Sequence, residues 1–225
     1  MRELNIIIAG VGGQGNVLLE QLIGISAMKE GYEVRGAATF GASQRGGSVV
    51  SHLRLGEGVD FCMVPDKTAD IVVGLEPVEA LRASREFLRG DGLVVYNTSP
   101  ILPVPVKTGA AKYPSIEVIT ASMRKLTRNM LFLDVTTFCK EKGSPRSINI
   151  AMLGILMGLK VLPLSLDVVK QTMFDLLGEK LAEANTKIFD GAFLIGQREA
   201  KAFDESDGDF REAVSLTKEV ISKAT

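Results

Sequence analysis

The feature that most constrains this chain lies in its first thirty residues. Leu4 to Ala9 reads LNIIIA, apolar except for Asn5, and it runs directly into GVGGQG, Gly10 to Gly15. Behind the glycines comes VLLEQLIGISAM, Val17 to Met28, with helical spacing, and Gly31 follows as a stop. A short continuous apolar run is the mark of a strand buried on both faces. A strand, a glycine turn and a helix, closed by a second strand at Tyr32 to Ala38, make a β–α–β unit. That unit commits the chain to an α/β architecture with helices covering a sheet.

The remaining segments extend the same alternation. Ser48 to Leu55 (SVVSHLRL), Asp70 to Leu75 (DIVVGL), Leu93 to Tyr96 and Ile116 to Thr120 read as strands. The imperfect alternation of SVVSHLRL predicts a partly exposed strand. Pro77 to Arg89 reads as a helix with proline in its first turn. The proline-rich NTSPILPVPV that follows the Leu93 strand is incompatible with regular helix. From Ser147 onward the pattern is helical: Ile148–Leu159, Leu166–Leu177, Glu179–Gly196 and, after the acidic break Asp204 to Asp209, Phe210–Lys223. The fold class expected is therefore a Rossmann-like three-layer sandwich, with a mostly parallel sheet and a helical C-terminal third. Residues 1–203 form the main unit and 204–225 a helical extension. Gly154 and Gly158 sit one turn apart, the spacing of a close helix–helix contact.

Composition removes several functions. The chain of 225 residues holds 26 basic and 27 acidic side chains, without the basic excess of a protein that binds nucleic acid through phosphates. Its two cysteines, Cys62 and Cys139, are too few for an iron–sulfur cluster, and the single histidine, His52, rules out a histidine-rich metal site. Two lone thiols suit a reducing, cytoplasmic compartment. The opening MRELNIIIAG lacks a signal-peptide layout, and the longest apolar stretch, residues 148–164, carries Asn149 and Lys160 and is short for a membrane span. It reads as a buried helix. A G-x-S-x-G elbow and a Walker lysine are both missing from the sequence, and His52 falls in mid-strand, where a structural role suits it better than a catalytic one.

Two loops carry the functional reading. Gly10, Gly12 and Gly15 match G-x-G-x-x-G: a tight turn after the strand, close approach of a bound group, and close packing of helix on strand. Three uses remain open for this loop. They are a nicotinamide dinucleotide, another phosphate or acidic group held at the helix N-terminus, and a turn with no ligand. A dinucleotide site also needs an acid at the end of the second strand, yet that end reads GAATFG; Glu33 comes too early, and Arg35 has no supporting basic cluster. The second loop, Ser43-Gln44-Arg45-Gly46-Gly47-Ser48, sets a forked guanidinium beside exposed backbone amides, the chemistry of an anion cradle. If both loops share one sheet edge, Gly12, Gly13, Gln14, Gly15, Arg45, Gly46 and Gly47 form one binding surface.

GVGGQG after the first strand, SQRGGSVVSHLRLG after the second, and DIVVGLEPVEALR further on together resemble the gamma subunit of the 2-oxoacid:ferredoxin oxidoreductases. That group covers the pyruvate, 2-oxoisovalerate and 2-oxoglutarate enzymes, and the small subunit of indolepyruvate:ferredoxin oxidoreductase is similar. Asn149 to Gly154 and Asn185 to Phe189 extend the likeness to roughly residues 3–200. The resemblance implies one subunit of an enzyme that converts a 2-oxoacid oxidatively to an acyl-CoA and passes electrons to ferredoxin. Thiamine diphosphate and iron–sulfur clusters then belong to partners: thiamine-binding alpha and beta subunits and a ferredoxin-type subunit. Coenzyme A (CoA) is the co-substrate whose entry this chain would help to shape. No catalytic residue and no metal ligand is expected on this chain, and a homodimer is a possible state when it is isolated. The competing reading is a free-standing NAD(P)-binding dehydrogenase or redox sensor.

Overall fold

The structure, a computed structural model, describes residues 3–41 and 47–205. Six strands form one sheet: β1 (Leu4–Val11), β2 (Glu33–Phe40), β3 (Ser48–Gly56), β4 (Ala69–Gly74), β5 (Leu88–Asn97) and β6 (Met130–Leu133). Their order is β2-β3-β1-β4-β5-β6. β1, β4, β5 and β6 pair parallel, while β3 runs antiparallel to both β1 and β2. All strands but β3 therefore point one way, as a mostly parallel sheet requires. The β1–β2 unit is not a simple β–α–β pair, because β3 is wedged between its strands.

Alternation along β1 separates two layers. Ile6 and Ile8 face one side, where α1 (Asn16–Lys29), α5 (Val135–Glu141), α6 (Ile148–Gly158), α7 (Leu166–Leu177) and α8 (Glu179–Glu205) build the larger core. Ile7 and Ala9 face the other, under α2 (Pro77–Phe87) and α4 (Ile116–Arg124). The helical last third packs on the sheet. Gly154 and Gly158 do mark a close contact: a Cβ on Gly158 would stand 2.2 Å from the Phe193 carbonyl of α8, and one on Gly154 2.5 Å from that of Phe189. Gly196 completes it from the α8 side, 2.3 Å from the Ile155 carbonyl.

The middle of the chain folds differently from the expectation. Ile116–Thr120 is not a strand but the start of α4, capped by Ser115, with Ile119, Thr120 and Met123 buried on one helical face. A five-residue apolar run cannot tell a strand from a helix, and here the cap and the i, i+4 pair decide. The sixth strand is Met130–Leu133, a four-residue run followed by Asp134, which caps α5. Within the proline-rich segment, α3 (Val104–Lys107) makes a single helical turn with proline in its first positions. β3 is largely buried, since it pairs on both edges. α8 continues past Gly196 to Glu205, while the expected helix Phe210–Lys223 lies outside the described residues.

Candidate functional site

The chain leaves β1 toward β2 on one side and later returns to lay β4 on the other. The order reverses between β1 and β4, and a crevice opens at the carboxyl ends of such strands. The glycine loop sits there. Its internal roles differ from those of a dinucleotide loop. Gly10 lies within β1, and a Cβ on it would stand 2.7 Å from both Asn16 Oδ1 and Gln14 Oε1. Gly10 therefore makes room for two side chains folded back over the strand. Gly15 holds φ +82°, and its Cβ would strike Asn149 Nδ2 of α6 at 2.5 Å. It clears space for a helix from the C-terminal third, not for the strand.

Gln14 is a fastener. Its Oε1 accepts from the Val11 amide at 2.9 Å, and its Nε2 donates to the Leu75 carbonyl at 2.8 Å, with the side chain buried. Asn97 Nδ2 donates to the same carbonyl at 3.1 Å, so the ends of β1, β4 and β5 are tied through Leu75. Asn149 Nδ2 reaches the Gly15 carbonyl at 3.4 Å.

The two loops do share an edge. Val11 pairs with Ser48, and the Gly12 amide donates to the Gly47 carbonyl at 2.9 Å. Ser48 Oγ donates to Glu79 Oε2 of α2 at 2.7 Å, and Arg82 holds the other oxygen at 2.6 Å. Ala42 to Gly46, and with them Arg45 and Gly46, lie outside the described residues. Gly13, at φ +100°, has open space where a Cβ would point. A cavity of about 500 Å³ opens at this edge, lined among others by Gly12, Gly13, Gly15, Asn16, Val17 and Phe40. The first intrahelical bond of α1 runs from the Leu19 amide to Gly15, so the amides of Asn16, Val17 and Leu18 lack helical acceptors.

A second polar group at this edge is not evident from sequence. Glu76, two residues past the end of β4, is buried; it caps α2 through the Glu79 amide at 3.0 Å and accepts from the Tyr113 hydroxyl. Burial pushes its carboxyl above the ordinary range, against the effect of those hydrogen bonds. Burial, and then the adjoining carboxylate, push Tyr113 up as well. The only signal was Glu-Pro at a strand end, which marks a helix cap. His52 is structural: buried in β3, its Nδ1 accepts from the Val64 amide at 3.2 Å and its ring stands edge-on to Phe87, 5.0 Å away. Burial lowers its pKa, disfavouring the charged ring.

The geometry disfavours a nicotinamide site. A dinucleotide fold pairs β1 with β2 and places the ribose-binding acid at the end of β2. Here β3 displaces β2 by one strand spacing, about 4.8 Å. The end of β2 carries Phe40, 60% exposed, and Arg35 lies exposed in mid-strand on the sheet's edge. Among the described residues, no group of histidine, cysteine or acidic side chains could hold a metal, and no helix is long and apolar enough to cross a membrane.

The described residues define an α/β unit of subunit size whose two glycine loops are joined at the sheet's switch point. The family described as pyruvate ferredoxin/flavodoxin oxidoreductase matches residues 5–195, and the chain belongs to that family. It is 39% identical over 202 residues to the indolepyruvate oxidoreductase subunit IorB of Pyrococcus horikoshii, covering 89% of this chain and 98% of that protein. It is 27% identical over 186 residues to the common gamma subunit of the pyruvate/ketoisovalerate oxidoreductases of Pyrococcus abyssi, covering 80% and 92%. Among solved structures it is similar to the 2-oxoglutarate:ferredoxin oxidoreductase of Magnetococcus marinus, solved with 2-oxoglutarate, coenzyme A and succinyl-CoA bound. The TM-score is 0.65 and the identity 23%; the match covers 90% of this chain and 32% of that one, about a third of its length.

Proposed function

We propose that this chain is the small, gamma-type subunit of a 2-oxoacid:ferredoxin oxidoreductase whose substrate is an aryl 2-oxoacid of the indolepyruvate kind. The higher identity to the IorB protein than to the pyruvate-type gamma subunit supports that substrate class. The reaction takes a 2-oxoacid and CoA to an acyl-CoA, carbon dioxide and a proton, with two electrons passing to ferredoxin. Thiamine diphosphate and the iron–sulfur clusters reside on partner subunits, in a cytoplasmic complex. This chain supplies residues 1–203 as the packed unit, and 204–225 as an extension. Its working surface is the paired loop edge: Gly12, Gly13, Gln14 and Gly15 with Arg45, Gly46 and Gly47. The observation that carries this reading is the Gly12–Gly47 bond, which joins the two loops of the family resemblance at the sheet's switch point. The amides there suit the anionic groups of CoA.

The test is anaerobic purification of the tagged chain from its native source, with CoA-dependent viologen reduction assayed against a panel of 2-oxoacids. Co-purifying thiamine and iron–sulfur subunits, with greatest activity on indolepyruvate, is the expected result. A chain recovered alone, which binds NADH tightly, contradicts it.

A further inference from the structure

β3 runs against its neighbours and its Leu55 pairs with Leu4, so residues 57–68 leave β3 at the amino ends of the parallel strands. This loop lies at the opposite end of the sheet from the glycine loop, which follows the carboxyl end of β1. It carries Phe61, 76% exposed, and Met63, 43% exposed, with the partly exposed Cys62 between them. The backbone beneath them is fastened. Val59 and Val64 are buried on either side, and the Val64 amide donates to His52 Nδ1 at 3.2 Å. Between these anchors Arg54 of β3 donates from Nη1 to the Phe61 carbonyl at 3.0 Å and to the Met63 carbonyl at 3.3 Å. Its Nε and Nη2 donate to Glu3, and Nε also to Asn5 Oδ1 at 3.0 Å, so the guanidinium is itself held in place.

A fixed backbone that displays two large apolar side chains to water is built to be covered. Their burial is favourable, and little ordering of the loop remains to oppose association. The border sets the chemistry of what covers them. Arg54 is neutralised by Glu3, and Lys67 turns its Nζ to the Arg85 carbonyl. Asp60 and Asp66, exposed on either side of the Phe61–Met63 pair, have no ion-pair partner among the described residues. An apolar pair with an acidic border complements an apolar pocket edged by lysine or arginine. A second copy meeting this patch with its own would set these aspartates against their equivalents, which disfavours self-association here. We propose that Phe61 and Met63 are the anchors by which this chain docks in a basic-edged apolar pocket on a partner subunit. This rests on the subunit reading above and puts the partner contact at the end of the sheet away from the glycine loop.

The test adds wild-type, Phe61→Ser and Phe61→Leu chains to partner subunits stripped of this chain, under anaerobic conditions, and follows association by sedimentation velocity. Truncating an anchor of this kind weakens association about thirty-fold. Phe61→Ser is expected to lose about that factor while its melting temperature holds, and Phe61→Leu to stay near wild type. Wild-type association weakens with added salt, and the pair Asp60→Asn and Asp66→Asn removes much of that dependence. Cys62 reports on the same contact: open to a maleimide in the isolated chain, it is shielded in the complex, as read by peptide mass. Equal association of Phe61→Ser and wild type overturns the inference, and so does a Cys62 as reactive in the complex as in the isolated chain. A wild-type homodimer that Phe61→Ser dissolves overturns it too, in favour of a second copy. A wild-type chain that joins no thiamine or iron–sulfur subunit defeats the underlying subunit reading instead, before any variant is compared.

Discussion

Gly15 shows how much one residue holds at this edge. Its positive φ and the Asn149 amide at the would-be Cβ leave no place for a side chain. Gly15→Ala is expected to destabilise the fold by about 2 kcal/mol through backbone strain and the displaced α6 side chain, measured by chemical denaturation. The two thiols provide a second residue-scale check. Both cysteines are free, but Cys139 is fully buried in the larger core, and burial pushes its thiol up to about 12. Thiolate is the reactive form, so Cys139 is expected to resist alkylation in the folded protein while the partly exposed Cys62 reacts. Counting alkylated thiols by mass should give one in native buffer and two in denaturant. At this scale the sequence was legible in outline. It located the glycine loop and read His52 as structural, but not that Gln14 would turn inward to Leu75 or that Gly10 would serve Asn16. The first role depends on Leu75 arriving from 61 residues away, and no local pattern encodes it.

At the scale of elements, α6 and α8 meet through glycines whose missing side chains allow backbone contact. Gly158→Val is expected to force the helices apart and cost about 1–3 kcal/mol, read as a loss of stability in denaturant titration. The Glu76 carboxyl, which caps α2 and takes the Tyr113 hydroxyl, gives the fold a pH dependence of definite sign. Its folded pKa is raised by burial, so the folded state binds its proton more tightly than the unfolded chain. The stability it contributes is full below the ordinary carboxyl range and is lost as pH rises through the folded value. Glu79 on α2 and Tyr113 on the proline-rich segment are the ionisable groups facing it, and the Glu79 charge adds to the upward shift. Glu76→Gln keeps an acceptor for the Glu79 amide and is expected to flatten that decline in a melting-temperature series across pH. The strands and long helices were legible because their periodicity is strong. Ile116–Thr120 was misread because so short a run fits both periods. Met130–Leu133 was not read as a strand, although its four apolar residues match the length of the Leu93–Tyr96 run.

For the whole molecule, the antiparallel β3 between β1 and β2 changes what the glycine loop means. The loop that would hold a dinucleotide in a β1–β2 pair is here bonded through Gly12 to Gly47, just before β3, and the end of β2 is carried off to the edge. The mostly parallel sheet and covering helices could be read from alternating segments alone. The inserted strand could not, because hydrophobic patterns do not report strand direction. The paired loops were recognisable only as a combination of motifs, while GxGxxG by itself kept three uses open. Under the proposed function, this chain is a necessary but insufficient part of a 2-oxoacid oxidoreductase. The most direct measurement is omission and add-back under anaerobic conditions, following CoA-dependent viologen reduction with indolepyruvate. The expected result is no activity from the isolated chain, a collapse of activity when the chain is stripped from its partners, and recovery on its return. Full activity of the partners without it, or turnover by the isolated chain with NAD(P), would contradict that claim.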